Sequence, residues 1–380
     1  MKSLVLQFSF LLSINLVASA HDHTESVAQN HAQVVYLSYM DTLQDAQNLQ
    51  KQINQFSEKP SEASLEQAKK AWLQSRESYG QTEAFRFYDG PIDFANEKTG
   101  EEGPEGELNA WPVNEAFMDY VKGAPTSGII NSDKEITLEL INSSNIKNDE
   151  ADVTTGYHAI EFLLWGQDLS LESAGIRPAS DYKKGDKVNE RRRLYLNLIT
   201  QKLISDLQYL VTEWTPKKDN FRKSFEKQSD EETLSLLLTS LATLSAFEMG
   251  SERMGTALDS GDQEDEHSCF SDNTHRDFIT NQVGMMNVYF GNYGSYHGKS
   301  PKEILAKKDE KLANKITKAL KKTADALVLI PAPIDRVLAS EKGSEAREIM
   351  EAAISALNEQ AELFVEAGKV LKVDVKIIAE

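Results

Sequence analysis

The sequence predicts an all-α protein of two helical bundles. Long segments repeat apolar residues every three or four positions, and none sustains strand-type alternation beyond a few residues. Breaks rich in Gly, Pro and acidic residues divide the segments into helix-length pieces, as bundles require.

Residues 1–20, MKSLVLQFSFLLSINLVASA, read as a secretory signal peptide. Lys2 gives the positive start, Leu4 to Val17 the apolar run, and Ala18-Ser19-Ala20 an A-x-A cleavage site. Cleavage after Ala20 implies export, to the periplasm or beyond. No cysteine follows the apolar run to carry a lipid. No later run approaches the roughly 18 to 20 apolar residues of a membrane helix.

Residues 27–57 form the first periodic helix. Pro60-Ser61 interrupts it, and Ser61 followed by Glu62 and Glu66 opens a second helix over about 61–85. The Gly-, Pro- and Glu-rich segment 86–108 reads as a long loop. Shorter helices are expected near 109–123, 133–142 and 154–166. A polar stretch then separates an N-terminal bundle, 21–175, from a C-terminal bundle, 185–380, with the boundary near 170–186. Helices near 187–213 and 232–258 follow, then an acidic loop from Asp259 to Phe278, then helices near 301–328 and 344–367. Each half ends a long helix on a carboxylate before a long loop, at Glu83 and Glu252, which is the pattern of an internal duplication.

Charge and cysteine content narrow the function. The chain carries 60 acidic and 41 basic residues, a formal net charge of −19, one unit more negative once Lys2 leaves with the leader. That balance excludes nucleic acid as a partner, because phosphates demand Lys and Arg, and it favours attraction of cations. Cys269 is the single cysteine, so no intramolecular disulfide can form and stability must come from packing.

The segment TTGYHAIEFLLWGQD, residues 154–168, sets His158 three residues before Glu161 in an apolar run. On a helix the two share a face, where they can hold one ion or bond each other as a buried pair. Imidazole with carboxylate suits Fe, Zn or Mn rather than Ca or Mg. Gly156 behind Thr154-Thr155 fits a tight, Thr-capped helix entry. Neither H-E-x-x-H nor H-x-x-E-H occurs, nor does G-x-S-x-G, so hydrolysis has little support from the motifs.

Further ligands must come from elsewhere. Trp72, Arg76, Tyr79 and Glu83 form one helical stripe, on which Glu83 can face His158 and Arg76 can bridge to a carboxylate. Glu115 and Asp119 sit on the 109–123 segment, and Glu248 and Glu252 form an i, i+4 acidic pair beside Arg253.

TGYHAIEFLLWGQD resembles the G-x-H-x-x-E signature of the imelysin-like proteins, the peptidase M75 family. AWLQSRESYGQTEAFRF, NAWPVNEAFMDYV, GIRPASDY and SERMGTAL…EHSCFSDNTHRD are similar to family segments in the same order. The likeness is greatest to the iron-regulated imelysin-like branch. It implies a two-domain helical fold with its site between the domains, bacterial export and a role in iron acquisition. By motif, Gly156, His158 and Glu161 are the matched positions, with Glu83 and Glu115 as further ligands.

The expected ligand shell is therefore His158, Glu161, Glu83 and Glu115. Gly156, Arg76, Arg253 and Glu252 are expected around it, the arginines orienting the carboxylates. The expected cargo is iron, Fe2+ or Fe3+, as ion or complex, with zinc the alternative. An iron transporter or outer-membrane receptor is the expected partner. A metallopeptidase and a metal-free cell-surface interaction protein are the competing readings. Cleavage after Ala20 would also expose His21-Asp22-His23, an N-terminal sequence able to wrap Cu2+ or Ni2+, with His31 nearby. Most charges of the 259–277 loop, which include His267 and Asp272, are expected to be solvated, with a structural or site role near Glu266-His267-Ser268. Cys269 is expected to be a packed thiol.

Overall fold

The computed structural model describes residues 26–96 and 101–379. The leader and His21-Asp22-His23 lie outside the described residues.

Eight long helices dominate. Helix α1 (Val27–Glu58) starts at Ser26, whose hydroxyl accepts from Gln29 N while the Gln29 side chain accepts from Ser26 N, a reciprocal cap. Helix α2 (Glu62–Tyr79) starts at Ser61 as expected, with Ser64 rather than a glutamate closing the box. It tightens into a 3-10 turn, Gly80–Phe85, that carries Glu83. Helix α3 (Gly156–Trp165) holds the motif, and α4 (Lys187–Trp214) follows it. Helix α5 (Asp230–Ser260) is continuous, its middle Leu244–Gly255 wound as a π-helix. Helices α6 (Thr274–Phe290), α7 (Glu310–Leu329) and α8 (Glu345–Leu371) complete the set. Two short hairpins are the strands among the described residues.

Helix α1 packs against α2 and α4, and α3 against α2 and α4. Helix α8 packs against α5 and α7, with α6 on α7. One apolar core runs through both groups, and α6 joins them by seating on the 3-10 turn after α2. Gly80 permits that approach, since a Cβ there would lie 2.0 Å from Thr280 Oγ1.

Several expectations need correction. Helix α4 lies beyond the boundary expected near 170–186, and its buried face, with Tyr195, Leu196, Ile199 and Leu203, meets the first group, where Tyr195 donates to Thr154 O at 2.9 Å. The polar stretch before it is thus a loop within that group. The 109–123 helix is one turn, Glu115–Met118, and the 301–328 helix is split, with Asp309 capping the second piece. Helix α6 was not foreseen; its first turns, THRDFITNQ, hide their apolar spacing among polar residues. By length and composition alone, helix α5 is long and apolar enough to cross a membrane, its best window having a mean hydropathy of 1.3. Two-thirds of that window, 67%, is buried by neighbouring helices, as in a core helix.

Candidate metal centre

Helix α3 is buried along its whole length, so its polar side chains must find partners inside the protein. Its entry depends on Gly156, which has φ +83° and where a Cβ would lie 2.6 Å from Leu108 O. The Thr cap expected there does not form. Thr155 makes no side-chain cap bond, and Thr154 donates instead to Ile141 O at 2.9 Å.

His158 and Glu161 share a face as the spacing requires, and they meet directly, Nδ1 to Oε2 at 2.9 Å. The other Glu161 oxygen accepts from Ser271 N at 2.9 Å and Ser271 Oγ at 2.6 Å. Both Glu161 oxygens are therefore engaged, whereas His158 Nε2 is buried without a partner.

His267 completes the centre. Its ring lies edge-on to His158 at 4.6 Å between centroids, and Trp111 covers both rings at 5.1 and 6.5 Å. His267 Nε2 is 3.5 Å from Asn109 Nδ2, and Nδ1 is 3.6 Å from Asp277 Oδ2, beyond a normal hydrogen bond. Asp277 is itself held by Arg76 through Nε at 3.2 Å and Nη2 at 2.9 Å, and by Ser268 Oγ at 2.5 Å. Arg76 also donates to Asn109 Oδ1 at 2.6 Å, and Asn109 Nδ2 donates to Glu83 Oε1 at 3.3 Å.

Glu83 ends this network against Arg253, at 2.6 Å, which also reaches Glu248 at 2.6 Å. The latter contact follows from the π register, in which residue i+5 comes over residue i. The winding pairs Glu248 with Arg253 and sends Glu252 out to solvent, so the two acids do not act as the expected α-helical pair. Glu252 stands on the rim of a cleft of about 380 Å³, together with Arg86, Glu105, Trp111, Arg253 and His267. His267 is the ring at the cleft, and His158 lies behind it.

Burial governs the protonation of this region. It drives His158 well below the usual imidazole value, helped by His267 and Arg76. Burial, with Arg253, brings His267 down to about 4. Burial raises Glu161 well above the carboxylate range despite the Ser271 bonds. It would raise Glu83 too, but Arg253 and Arg86 outweigh it and bring that carboxyl to about 2. At neutral pH both rings are uncharged and Glu83 is an anion already matched by arginine.

The structure thus brings together His158, Glu161, Arg76, Glu83 and Arg253, with Gly156 shaping the entry. Glu115 does not join them: its Oε2 accepts from Gln167 Nε2 at 2.5 Å, and no hydrogen bond or ion pair links it to His158 or Glu161. Asp119 is taken by Arg177 and Arg192. His267 bears out the structural or site role expected near Glu266-His267-Ser268, while Asn109, Asp277 and Ser271 are site residues that the sequence marks only as parts of NAWPVNEAFMDYV and EHSCFSDNTHRD, segments similar to family sequence. Cys269 is a buried thiol whose pKa burial raises well above its ordinary value. His31 is buried among Phe85, Tyr88, Trp214 and Phe225 rather than free to join a surface ligand set.

Comparison with known proteins agrees with the motif. A model of the imelysin family, peptidase M75, matches residues 35–364. The chain belongs to the imelysin family. It is 26% identical over 341 residues to an iron-regulated protein A of Synechococcus elongatus, covering 87% of this chain and 82% of the relative. The fold is similar to a crystal structure described as an iron-regulated protein A precursor from Parabacteroides distasonis, with TM-score 0.69 and 18% identity. That likeness covers 92% of this chain and 97% of the other. It is also similar to an imelysin-like protein from Psychrobacter arcticum, with TM-score 0.65, 14% identity and the same coverages.

Proposed function

We propose that this imelysin-family protein captures iron, as an ion or a small complex, for bacterial uptake, with His158 Nε2 as the anchoring ligand and His267 as the second. The observation that carries this reading is the state of His158: its Nδ1 is fixed by a carboxylate while its Nε2 is buried and unpartnered. A metal-ligating histidine almost always gives its other nitrogen to such a group, which fixes ring and tautomer. Uncharged imidazoles are also ready to ligate without first losing a charge.

The remaining residues position these two. Ser271 holds Glu161, Glu161 aims His158, and Arg76 acts on His267 through Asp277 and Asn109. Glu83 can become a ligand only by exchanging Arg253 for the metal, so we assign it to positioning; Glu115 is left out. Iron is preferred to zinc because the relatives are named as iron-regulated, and imidazole ligands suit both. Export through the leader, and delivery to a transporter or outer-membrane receptor, are part of the same proposal. Binding is favoured over peptide hydrolysis because the engaged Glu161 carboxylate is not free to act as general base.

The test is calorimetric titration with Fe(II) under anaerobic conditions, Fe(III) and Zn(II), beside His158→Ala and a peptide-cleavage assay. The reading expects iron binding that His158→Ala abolishes, without metal-dependent cleavage. Equal binding by the variant would make the pair purely structural.

A further inference from the structure

The chain gathers a second group of acids with no place in the reading above. Asp168 follows α3, Asp272 lies in the loop before α6, and Asp335 opens the short helix Asp335–Leu338. One carboxylate oxygen from each comes within 4.8 Å of the others. Glu266, on the same loop as Asp272, feels Asp335, Asp272 and Asp168 as repelling neighbours.

Asp335, Glu266 and Asp168 are not solvated surface charges, and Asp272 is half-buried. Asp335 and Glu266 are each 1% exposed, and Asp168 is 2% exposed. Both oxygens of Asp335, both of Glu266 and Oδ2 of Asp168 are buried without a hydrogen-bond partner, and so is Oδ1 of Asp272. Ser170 N reaches Asp168 Oδ1 at 3.0 Å, and the Thr274 hydroxyl offsets only part of the burial cost at Glu266. Arg336 offsets part of the burial cost at Asp335 and Asp272, but its guanidinium is exposed and engaged with Glu172 at 2.5 Å. Buried acids without counter-charge are expensive unless they are protonated or bind a cation.

We propose that Asp168, Asp272 and Asp335 form a second cation site, selective for calcium, with Glu266 beside it on the Asp272 loop; the site clips the end of α3 to that loop and the segment before α8. The donor set is all oxygen, which selects a hard cation over the ions that imidazole favours. Calcium takes six to eight oxygens with carboxylates in one- or two-oxygen contact and tolerates irregular geometry. Magnesium keeps several waters and demands near-octahedral order, which suits a largely closed site less. Cation-free, the group carries raised carboxyls, Asp168 at about 6 and Asp272 at about 7, because burial and mutual repulsion oppose ionisation.

The test uses the full chain after EGTA treatment. Calorimetry with CaCl2 should show one equivalent bound, and calcium should raise the melting temperature by several degrees, magnesium much less. Asp168→Asn/Asp335→Asn should lose both responses while melting, calcium-free, no lower than the wild type, because it removes repulsion. His158→Ala/Glu161→Ala should keep the calcium response, so failure of the iron reading leaves this one standing. Absence of calcium binding would overturn the proposal and mean that protons alone neutralise the group. Tighter magnesium binding, or an unchanged response in the Asp double variant, would overturn it equally.

Discussion

Two buried polar regions draw on the same loop, through Ser271 and Asp272, and solve the same problem differently. Around His158 and His267 every ionised carboxylate faces a base: Asp277 has Arg76, and Glu83 has Arg253 and Arg86. Around Asp335 acids gather with partnerless oxygens, and Arg336, the base that acts on Asp335 and Asp272, is itself paired with Glu172. In the first region the ionised acids are matched by the chain itself, and His158 Nε2 and His267 Nδ1 are buried without a partner; the second is left unbalanced. Charge pairing thus separates a region whose ionised acids are already matched from one whose acids are not.

The largest effect should come from breaking the paired region. Arg76→Met leaves Asp277 buried and uncompensated, and urea denaturation should show a loss of about 3–5 kcal/mol. The matching change in the unpaired region, Asp335→Asn, should be neutral or stabilising without calcium. If both destabilise alike, the contrast between the regions fails.

Gly156→Ala comes next. It combines a left-handed backbone with a contact to Leu108 O, so a loss of about 2–3 kcal/mol is expected by denaturation.

The pH dependence should run in opposite directions. His267 titrates near 4 folded against about 6.5 unfolded, so the folded state binds fewer protons in that window. Its contribution is complete above the unfolded value and is lost as pH falls through the window. His267→Gln should flatten that part of the profile. Asp272, raised to about 7 by burial and its acidic neighbours, has the opposite sign. Its penalty is full above the folded value and relieved on acidification, so the stability gained by removing acids from this cluster should be largest at alkaline pH, without calcium. The smallest effect belongs to exposed Glu252: Glu252→Gln should change stability by less than about 0.5 kcal/mol.

The elements that were legible in the sequence are those whose apolar spacing is regular, such as α1, α4 and α8. The swap of α4 between bundles shows the limit, because periodicity fixes which face is buried but not against which helix. His158 and Glu161 were legible because both ride one helix. Of their partners the sequence marked only the neighbourhood of His267, because Asn109, Ser271 and Asp277 come from loops and an unforeseen helix that only the tertiary fold brings together. The Glu248–Arg253 contact was hidden further, since a π register reverses the pairing an α-helix would give. Asp335 lies in a one-turn helix with no periodic signal at all.

The most direct test is a crystal structure of the protein loaded with iron and calcium together, the two ions distinguished by anomalous scattering. The account predicts iron at His158 Nε2 beside His267, and calcium among Asp168, Asp272 and Asp335. Iron seated in the carboxylate group, with the His158 site empty, would contradict it.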